Sequence, residues 1–173
     1  MGKERQLKKI AFIGSHCAGK TTKAKLTAKV LESLGYAVAL VEEGASLCPF
    51  PINERGTYQS QKWILDYYID SERNAPQKDF LVMDRCTLDT LPYVTFLKEH
   101  GNIREPEYSE LVTTVWSFWN AKTYVKPTLL YCSPLPLTEN GTRSTNPEFQ
   151  MSIDTIYRRI LNANHLDYSE ISE

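Results

Sequence analysis

A short segment near the amino terminus constrains the fold more than any other part of the sequence. Residues 8–13 (KKIAFI) form a brief apolar, β-rich run that ends at a glycine, as a buried strand does. Residues 14–21 (GSHCAGKT) fit in full the pattern GxxxxGK followed by Ser or Thr. Residues 20–34 place apolar side chains three and four positions apart and stop before Gly35, which predicts a helix. Strand, loop and helix therefore follow one another in the order that this pattern requires.

The predicted loop has the chemistry of a phosphate-binding site. Its glycines let the backbone turn tightly, so that successive amide groups point into one concavity, and the next helix adds the positive end of its dipole. Lys20 supplies a positive charge for the β- and γ-phosphates of a nucleotide, and the Thr21 hydroxyl is placed to ligate Mg²⁺. We therefore expect ATP or GTP to bind here, with contacts from Gly14, Ser15, His16, Cys17, Ala18, Gly19, Lys20, Thr21 and Thr22. His16 and Cys17 are interpreted as tolerated side chains, with the alternative that His16 tunes the approach of a substrate.

Strands and helices alternate along the rest of the chain. We predict strands over 36–41, 79–83 and 127–132, and helices over 57–74, 87–100, 106–124 and 147–161. The helix over 87–100 is expected to bend or restart at Pro92, and Asn146 is expected to cap the last helix. Residues 165–173 could begin a fifth strand. Because the strand runs are continuously apolar, we predict an α/β fold with a parallel sheet of about five strands covered on both faces.

The ends of the predicted strands carry the remaining candidate residues. Glu42 and Glu43 follow the second strand, and Asp84 and Arg85 follow the third. In an open parallel sheet the ligand lies beyond the carboxyl ends of the strands, so these side chains should meet the loop in one crevice. Glu43, or Glu42, could accept the proton of an attacking hydroxyl, Asp84 could hold Mg²⁺, and Arg85 could neutralise charge on a transferred group. The alternatives are a solvated acidic turn for the glutamates and a structural Asp84–Arg85 ion pair.

Composition narrows the range of partners. A net charge of −1 over 173 residues gives no general attraction to a polyanion, which disfavours extended nucleic-acid or membrane-surface binding. No apolar segment is long enough for a signal peptide or a membrane span. Cys17, Cys48, Cys86 and Cys132 lie far apart with no CxxC pair, which favours reduced buried thiols in a cytoplasmic protein over a zinc site or a disulfide framework.

Three segments together resemble the small P-loop nucleoside and nucleotide kinases. The chain is most similar to the AAA_28-type group related to the ribosylnicotinamide kinase domain, and more distantly to deoxynucleoside and thymidylate kinases. The resemblance rests on LVEEGAS (40–46), VMDRCTLDTLPY (82–93) and TENGTRSTNPE (138–148), in addition to the loop. It extends in order over nearly the whole chain.

This resemblance implies a single P-loop kinase domain over 1–173, a three-layer sandwich with a short lid at about 138–147. Glu43 would be the base on the acceptor side, Asp84 and Arg85 would form the pair that ends the third strand, and Arg143 would be the lid arginine that closes over the phosphates. Asp89 and Tyr93 would face either the substrate or the core. Arg158 and Arg159 could reach a phosphate, but a solvated helix face is the preferred interpretation.

Aromatic side chains recur on two of the predicted helices. Tyr58, Trp63, Tyr67 and Tyr68 lie on the first, and Tyr108, Trp116, Phe118 and Trp119 lie on the second. Most are expected to pack in the core. By the resemblance, one or two rings of the first helix, with Gln59 or Gln61, could hold a base. The segment 46–56 lies where an acceptor-binding segment would lie, and its Arg55 could meet a substrate anion.

Three functions remain open from the sequence. The first is a kinase that transfers the γ-phosphoryl group of ATP to a hydroxyl or phosphate of a nucleoside, a nucleotide or a similar small molecule, as a monomer or a homodimer. The second is a kinase acting on a nucleic-acid hydroxyl, against which the near-neutral charge stands. The third is a nucleotide-dependent regulatory ATPase without a phosphorylated product, which would require neither Glu43 nor a lid with Arg143.

Overall fold

The computed structural model describes residues 7–138, 141 and 143–172, and within these ranges strands and helices alternate. The elements are β1 (Lys8–Ile13), α1 (Lys20–Ser33), β2 (Val38–Val41), α2 (Tyr58–Arg73), β3 (Phe80–Asp84), α3 (Thr90–Glu99), α4 (Glu105–Trp119), β4 (Thr128–Cys132), α5 (Pro147–Ala163) and β5 (Tyr168–Ile171). Short 3₁₀ turns lie at Ala45–Leu47, Asn53–Arg55 and Thr87–Asp89. Residues 139, 140 and 142 of the predicted lid lie outside the described residues.

The strands of the described ranges form a single parallel sheet in the order β2–β3–β1–β4–β5. β1 lies at its centre, with Ala11 opposite Met83 of β3 on one side and Leu129 of β4 on the other. From β1 the chain moves to β2 on one side, whereas from β3 it crosses over β1 to reach β4. The carboxyl ends of β1 and β3 therefore border the crevice in which open parallel sheets bind ligands.

Helices cover both faces of this sheet. On one face, Phe12 of β1 and Val82 of β3 pack with Ala24 and Ala28 of α1. On the other face, Ile13 belongs to a larger core to which α2, α3, α4 and α5 all contribute. Side chains alternate across a strand, so a strand buried on both faces needs an unbroken apolar run. The predicted α/β sandwich with a parallel sheet is confirmed.

The largest boundary error falls at α4. The helix predicted over 106–124 begins one residue earlier and already ends at Trp119. Beyond it the chain turns, and the Tyr124 hydroxyl donates a hydrogen bond to the Glu72 carboxylate at 3.2 Å. The Tyr124 ring centroid also lies 4.5 Å from Lys9 Nζ. Tyr124 thus lies in a loop and packs against Lys9 and Glu72. Its aromatic side chain continued the apolar spacing of the helix in the sequence, so the predicted helix was too long.

The break in the segment 87–100 also differs from the prediction. It falls at Thr90, where α3 begins after a 3₁₀ turn, and α3 then runs through Pro92 to Glu99. Pro92 lies in the first helical turn, where a backbone amide has no helical partner in any case, so the proline does not interrupt the helix.

The carboxyl-terminal part agrees with the prediction. Asn146 caps α5, because its Oδ1 accepts hydrogen bonds from the amides of Glu148 at 3.0 Å and Phe149 at 3.4 Å. Residues 168–171 form β5, which pairs with β4 in parallel. None of the helices in the described ranges combines the length and the apolar character that a membrane span requires.

Candidate active site

The loop between β1 and α1 contains three residues with left-handed backbone angles. Gly14, Cys17 and Gly19 have φ values of 133°, 51° and 69°. A Cβ at Gly14 would lie 2.6 Å from the carbonyl oxygen of Cys132, so only glycine fits at this position. Reversals of this kind turn neighbouring amides toward one side and form a concavity that suits an anion. The backbone therefore has the shape that a phosphate-binding loop requires.

Hydrogen bonds and ring contacts from α5 and from the segment after β4 hold this loop in place. The Gln150 side-chain amide donates hydrogen bonds to the carbonyl oxygens of His16 and Leu135, each at 3.0 Å. The Leu135 amide in turn donates to the carbonyl oxygen of Cys17 at 2.7 Å. The ring of Phe149 stacks on His16 with their centroids 5.2 Å apart. These contacts fix the loop, and no local sequence pattern could have revealed them.

Lys20 begins α1 and its side chain is buried against the loop. Its Nζ donates a hydrogen bond to the carbonyl oxygen of Ser15. Burial, followed by the positive charge of Arg85, lowers the pKa of Lys20 to about 7. An anion bound in the loop would stabilise the charged ammonium.

Thr21 and Asp84 meet where α1 begins and β3 ends. The Thr21 hydroxyl donates to Asp84 Oδ2 at 2.5 Å, whereas Asp84 Oδ1 is buried without a hydrogen-bond partner among the described residues. A buried carboxylate oxygen is costly unless a donor or a cation reaches it. Three His, Cys, Asp or Glu side chains do not cluster as a metal site anywhere in the described ranges. Because proteins hold Mg²⁺ with one or two carboxylates and the substrate's phosphates, Thr21 and Asp84 suit this ion.

Arg85 is buried, and its ion-pair partner is not the adjacent Asp84. Its Nη1 donates hydrogen bonds to Asp89 Oδ1 and to the carbonyl oxygen of Gly14, both at 3.2 Å. Its Nε lies 3.9 Å from Glu43 Oε1. The predicted alternative of a structural Asp84–Arg85 pair is therefore wrong.

Asp89 is the ion-pair partner of Arg85. From the sequence, Asp89 was expected to face either the substrate or the core. Its carboxylate also accepts hydrogen bonds from the amides of Cys86 at 2.9 Å and Gly14 at 3.4 Å. Burial raises the pKa of Asp89, and the nearby positive charges oppose this shift. No local pattern identifies this pair, because Arg85 has a left-handed backbone conformation before the 3₁₀ turn and does not share a helix with Asp89.

The two glutamates after β2 differ in their surroundings. Glu42 is exposed and its Oε1 pairs with Lys25 Nζ at 3.1 Å. Glu43 is half-buried, accepts hydrogen bonds from the amides of Ala45 at 3.1 Å and Ser46 at 3.3 Å, and faces Arg85. Of the two, Glu43 is thus the one directed toward the end of β3.

A cavity of about 420 Å³ brings most of the predicted residues together. Its lining includes His16, Cys17, Ala18, Gly19, Lys20, Thr21, Glu42, Glu43, Asp84, Arg85 and Arg143. Gly14 and Ser15 are buried beneath it, and Thr22 is exposed on α1 outside its lining. Asp89 and Tyr93 both line it, so neither is only a core residue.

One wall of this cavity comes from α2 and from the segment 45–53 after β2. It consists of Ala45, Ser46, Leu47, Ile52, Asn53, Gln61, Ile64, Tyr67 and Tyr68. Gln61 therefore lines the cavity and Gln59 does not; Arg55, Tyr58 and Trp63 are also outside the lining, as are the four aromatic residues of α4. The segment 46–56 was expected at this place, but the sequence did not single out Ile52 or Asn53 within it, and it did not identify Thr90, because residues from separate loops and helices meet here only in the fold. The hydroxyls of Tyr68 and Thr90 are buried without hydrogen-bond partners in the described residues.

The arginines near the carboxyl terminus differ in position. Arg143 is exposed and lines the cavity from the segment before α5. Arg158 pairs with Asp154 at 3.0 Å and with Glu170 of β5 at 2.7 Å, and Arg159 pairs with Glu99 at 3.2 Å. The preferred interpretation of Arg158 and Arg159 as residues outside the site agrees with these contacts.

A hydrogen bond links residue 144, in the segment predicted to be a lid, to the segment after β2. The Ser144 hydroxyl donates a hydrogen bond to the Glu54 carboxylate. The Asn102 side chain then holds the same segment by donating to the carbonyl oxygens of Glu54 at 3.1 Å and Gly56 at 3.3 Å.

The sheet order and the loop after β1 define a protein of the P-loop α/β class. Residues 9–173 match the model of the AAA_28 family, described as an AAA domain, and the chain belongs to this family. The resemblance stated from the sequence is thereby confirmed. A search of curated protein sequences gave no significant match.

Solved P-loop kinase structures have the same fold at low sequence identity. Deoxyadenosine kinase from M. mycoides, with products dCMP and a flexible dCDP bound, has a TM-score of 0.64 and 18% identity over 94% of this chain and 87% of that chain. The same enzyme with bound dATP has a TM-score of 0.62 and 17% identity over 95% and 89%. NadR protein in complex with NR has a TM-score of 0.69 and 15% identity, and the match covers 96% of this chain and 44% of that chain.

Proposed function

We propose that this protein is a kinase that transfers the γ-phosphoryl group of ATP to a hydroxyl group of a nucleoside-like molecule that carries no phosphate. One observation carries the proposal: the loop after β1 lines the same cavity as Glu43, Asp84 and Arg85, and this cavity continues along α2. Its volume of about 420 Å³ lies within the usual range of small-molecule sites. The bound ligands of the structural neighbours, dATP, dCMP and NR among them, support the same class of reaction.

The donor half of the site would bind the triphosphate. Backbone amides of the loop and the Lys20 ammonium would contact the phosphates, and Arg143 would approach them from the lid. Thr21 and Asp84 would hold Mg²⁺, which when bound neutralises charge on the β- and γ-phosphates. Arg85 is fixed by Asp89, so it can face the transferred group without reorganising.

The acceptor half would bind a flat, largely apolar molecule with a few polar groups. Ile52, Ile64 and Tyr67 provide apolar surface, whereas Gln61 and Tyr68 provide hydrogen-bonding groups. None of the residues that line this wall is Lys or Arg, and Lys25, which lines the cavity from α1, is paired with Glu42, so a phosphate monoester would find no unpaired cation on the wall. This favours a nucleoside over a nucleotide as the acceptor.

The chemistry requires one proton transfer and one exchange of bonds. The acceptor oxygen bonds to the γ-phosphorus, the bond from this phosphorus to the bridging oxygen of ADP breaks, and the hydroxyl proton passes to the Glu43 carboxylate. Glu43 is half-buried at the cavity wall and near Arg85, which suits a base for an acceptor hydroxyl placed beside the transferred group.

Transfer of labelled γ-phosphate tests this proposal. ATP would be offered with nucleosides, nucleoside monophosphates, nicotinamide riboside and oligonucleotides, using the wild type, Lys20→Ala and, as a matched control, Lys29→Ala on the exposed side of α1. We expect a labelled product only from a nucleoside-type acceptor. Lys20→Ala should form no product, and Lys29→Ala should form it at the wild-type rate. A labelled oligonucleotide would favour the nucleic-acid kinase, and phosphate release without a labelled product would favour the regulatory ATPase; either result would overturn the proposal.

We also propose that the protein is cytoplasmic, that it forms one domain and that it can form a homodimer. The four cysteines are all unpaired, which favours a reducing compartment such as the cytoplasm. A single domain over 1–173 and a possible homodimer can be checked by limited proteolysis and light scattering.

A further inference from the structure

His16 leaves two polar side-chain atoms without partners at the cavity. It is 4% exposed, and both Nδ1 and Nε2 are buried without a hydrogen-bond partner among the described residues. It lies in the phosphate-binding loop and lines the cavity. Leaving a buried polar atom unpaired costs free energy, so a ring with two such atoms needs a reason.

Packing does not supply this reason. The ring stacks on Phe149 at 5.2 Å, a contact that phenylalanine would make without burying two nitrogens. The backbone at this position is fixed from behind, because Gln150 donates to the His16 carbonyl oxygen and Leu135 holds the next residue. The backbone of His16 is therefore fixed at the cavity wall, and both ring nitrogens lack a hydrogen-bond partner among the described residues.

The surrounding charges indicate what the ring would contact. Burial, and then the positive charges of Arg85, Lys20 and Arg143, lower the pKa of His16 to about 4. The ring is therefore neutral at neutral pH, with one nitrogen carrying a hydrogen and the other free to accept one. Three cations around it make this corner of the cavity attractive to an anion, and an N–H group can donate to an anionic oxygen.

We propose that His16 donates a hydrogen bond to an oxygen of the terminal phosphoryl group of the bound nucleoside triphosphate. The contact would help to orient the group that is transferred, in addition to the backbone amides and Lys20. This inference rests on the proposed function, but it concerns binding of the triphosphate and can be tested without the transfer reaction.

Two substitutions separate this role from packing. His16→Phe keeps a stacked ring and removes both nitrogens, whereas His16→Gln keeps a donor and an acceptor. His165→Asn is the control, because His165 is exposed and has a φ of 50° that Asn tolerates. Calorimetric titration of each variant would use ADP and the non-hydrolysable ATP analogue in which nitrogen replaces the β–γ bridging oxygen, both with Mg²⁺.

We expect His16→Phe to bind the triphosphate analogue about tenfold more weakly and ADP within about twofold of the wild type. His16→Gln should recover most of the difference, and His165→Asn should show none. The melting temperature of His16→Phe should be equal to or above that of the wild type, since two unpaired polar atoms are removed.

The inference is overturned if His16→Phe binds both nucleotides as the wild type does, or weakens both equally. Should His16→Phe fail to fold, His16→Leu and His16→Gln give the same comparison. If His16→Phe weakens binding of the analogue as expected but the wild type phosphorylates no acceptor, the kinase proposal is wrong and the proposed His16 contact is still supported.

Discussion

Thr21 and Asp84 lie 63 positions apart, yet the hydroxyl of the first donates a hydrogen bond to the carboxylate of the second at 2.5 Å. The contact follows from the sheet, because β1 and β3 are neighbours and the residues after them share one edge. The second oxygen of Asp84 remains buried and unpaired among the described residues. The arrangement fits a cation-binding pair completed by phosphate.

Asp84→Asn tests this pair. Asparagine can still accept the hydrogen bond from Thr21, so the fold should be retained while the charge is lost. We expect kcat to fall on the order of 100-fold. The magnesium concentration for half-maximal activity should rise by about tenfold or more. Asp66→Asn, an exposed residue paired with Lys62, is the control, and an unchanged magnesium dependence in Asp84→Asn would remove Asp84 from the site.

Glu43→Gln tests the base. The amide has the same shape but accepts a proton poorly, so kcat should fall on the order of 100-fold or more. ATP affinity, measured by titration, should change by less than about twofold, because Glu43 faces the acceptor side. The same substitution at Glu42 supplies the comparison. A large loss in Glu42→Gln with a normal rate in Glu43→Gln would exchange the two roles.

Asp89→Ala tests the support of Arg85. Removing the carboxylate leaves the buried guanidinium without its closest charged partner and removes an acceptor for the amides of Cys86 and Gly14. We expect the free energy of unfolding, measured in urea, to fall by about 3–5 kcal/mol. Asp66→Ala breaks an exposed pair and should cost only about 0–1 kcal/mol. Equal losses in the two variants would contradict the inferred role of Asp89.

The lowered pKa of Lys20 predicts that the protein takes up a proton when it binds a nucleotide. Burial and Arg85 lower its pKa to about 7, so at pH 8 most of the free protein carries a neutral amine. A triphosphate favours the ammonium and raises this pKa, and binding should therefore take up as much as about one proton. Titration calorimetry at pH 8 in two buffers of different ionisation enthalpy measures this number. Lys20→Met should abolish the uptake, and its persistence in that variant would assign the proton elsewhere.

The same lowered pKa has a consequence for stability. Between about pH 7 and the ordinary pKa near 10.5, the unfolded chain binds a proton at Lys20 that the folded protein does not. Stability from this group therefore increases as the pH rises through that window and is constant below it.

The sequence was sufficient for the features that arise from local patterns. The unbroken apolar runs of β1 and β3 predicted a sheet buried on both faces, and the glycines between 14 and 19 predicted the tight loop. The common edge of parallel strands then brought Glu43, Asp84 and Arg85 to one cavity, as expected.

Contacts that depend on the path of the chain in space could not be predicted. Arg85 has a φ of 77°, which a charged residue rarely adopts, and this turn directs its side chain to Asp89 and not to Asp84. Gln150 reaches the His16 carbonyl oxygen across 134 positions. Neither arrangement leaves a periodic signal, because each follows from packing and not from propensity.

The hydrogen bond between Ser144 and Glu54 joins the segment before α5 to the segment after β2. Both segments supply residues that line the cavity, Arg143 from the first and Asn53 from the second, whereas Ser144 and Glu54 themselves do not line it. Ser144→Ala would therefore release the two segments from each other without changing a residue of the cavity wall.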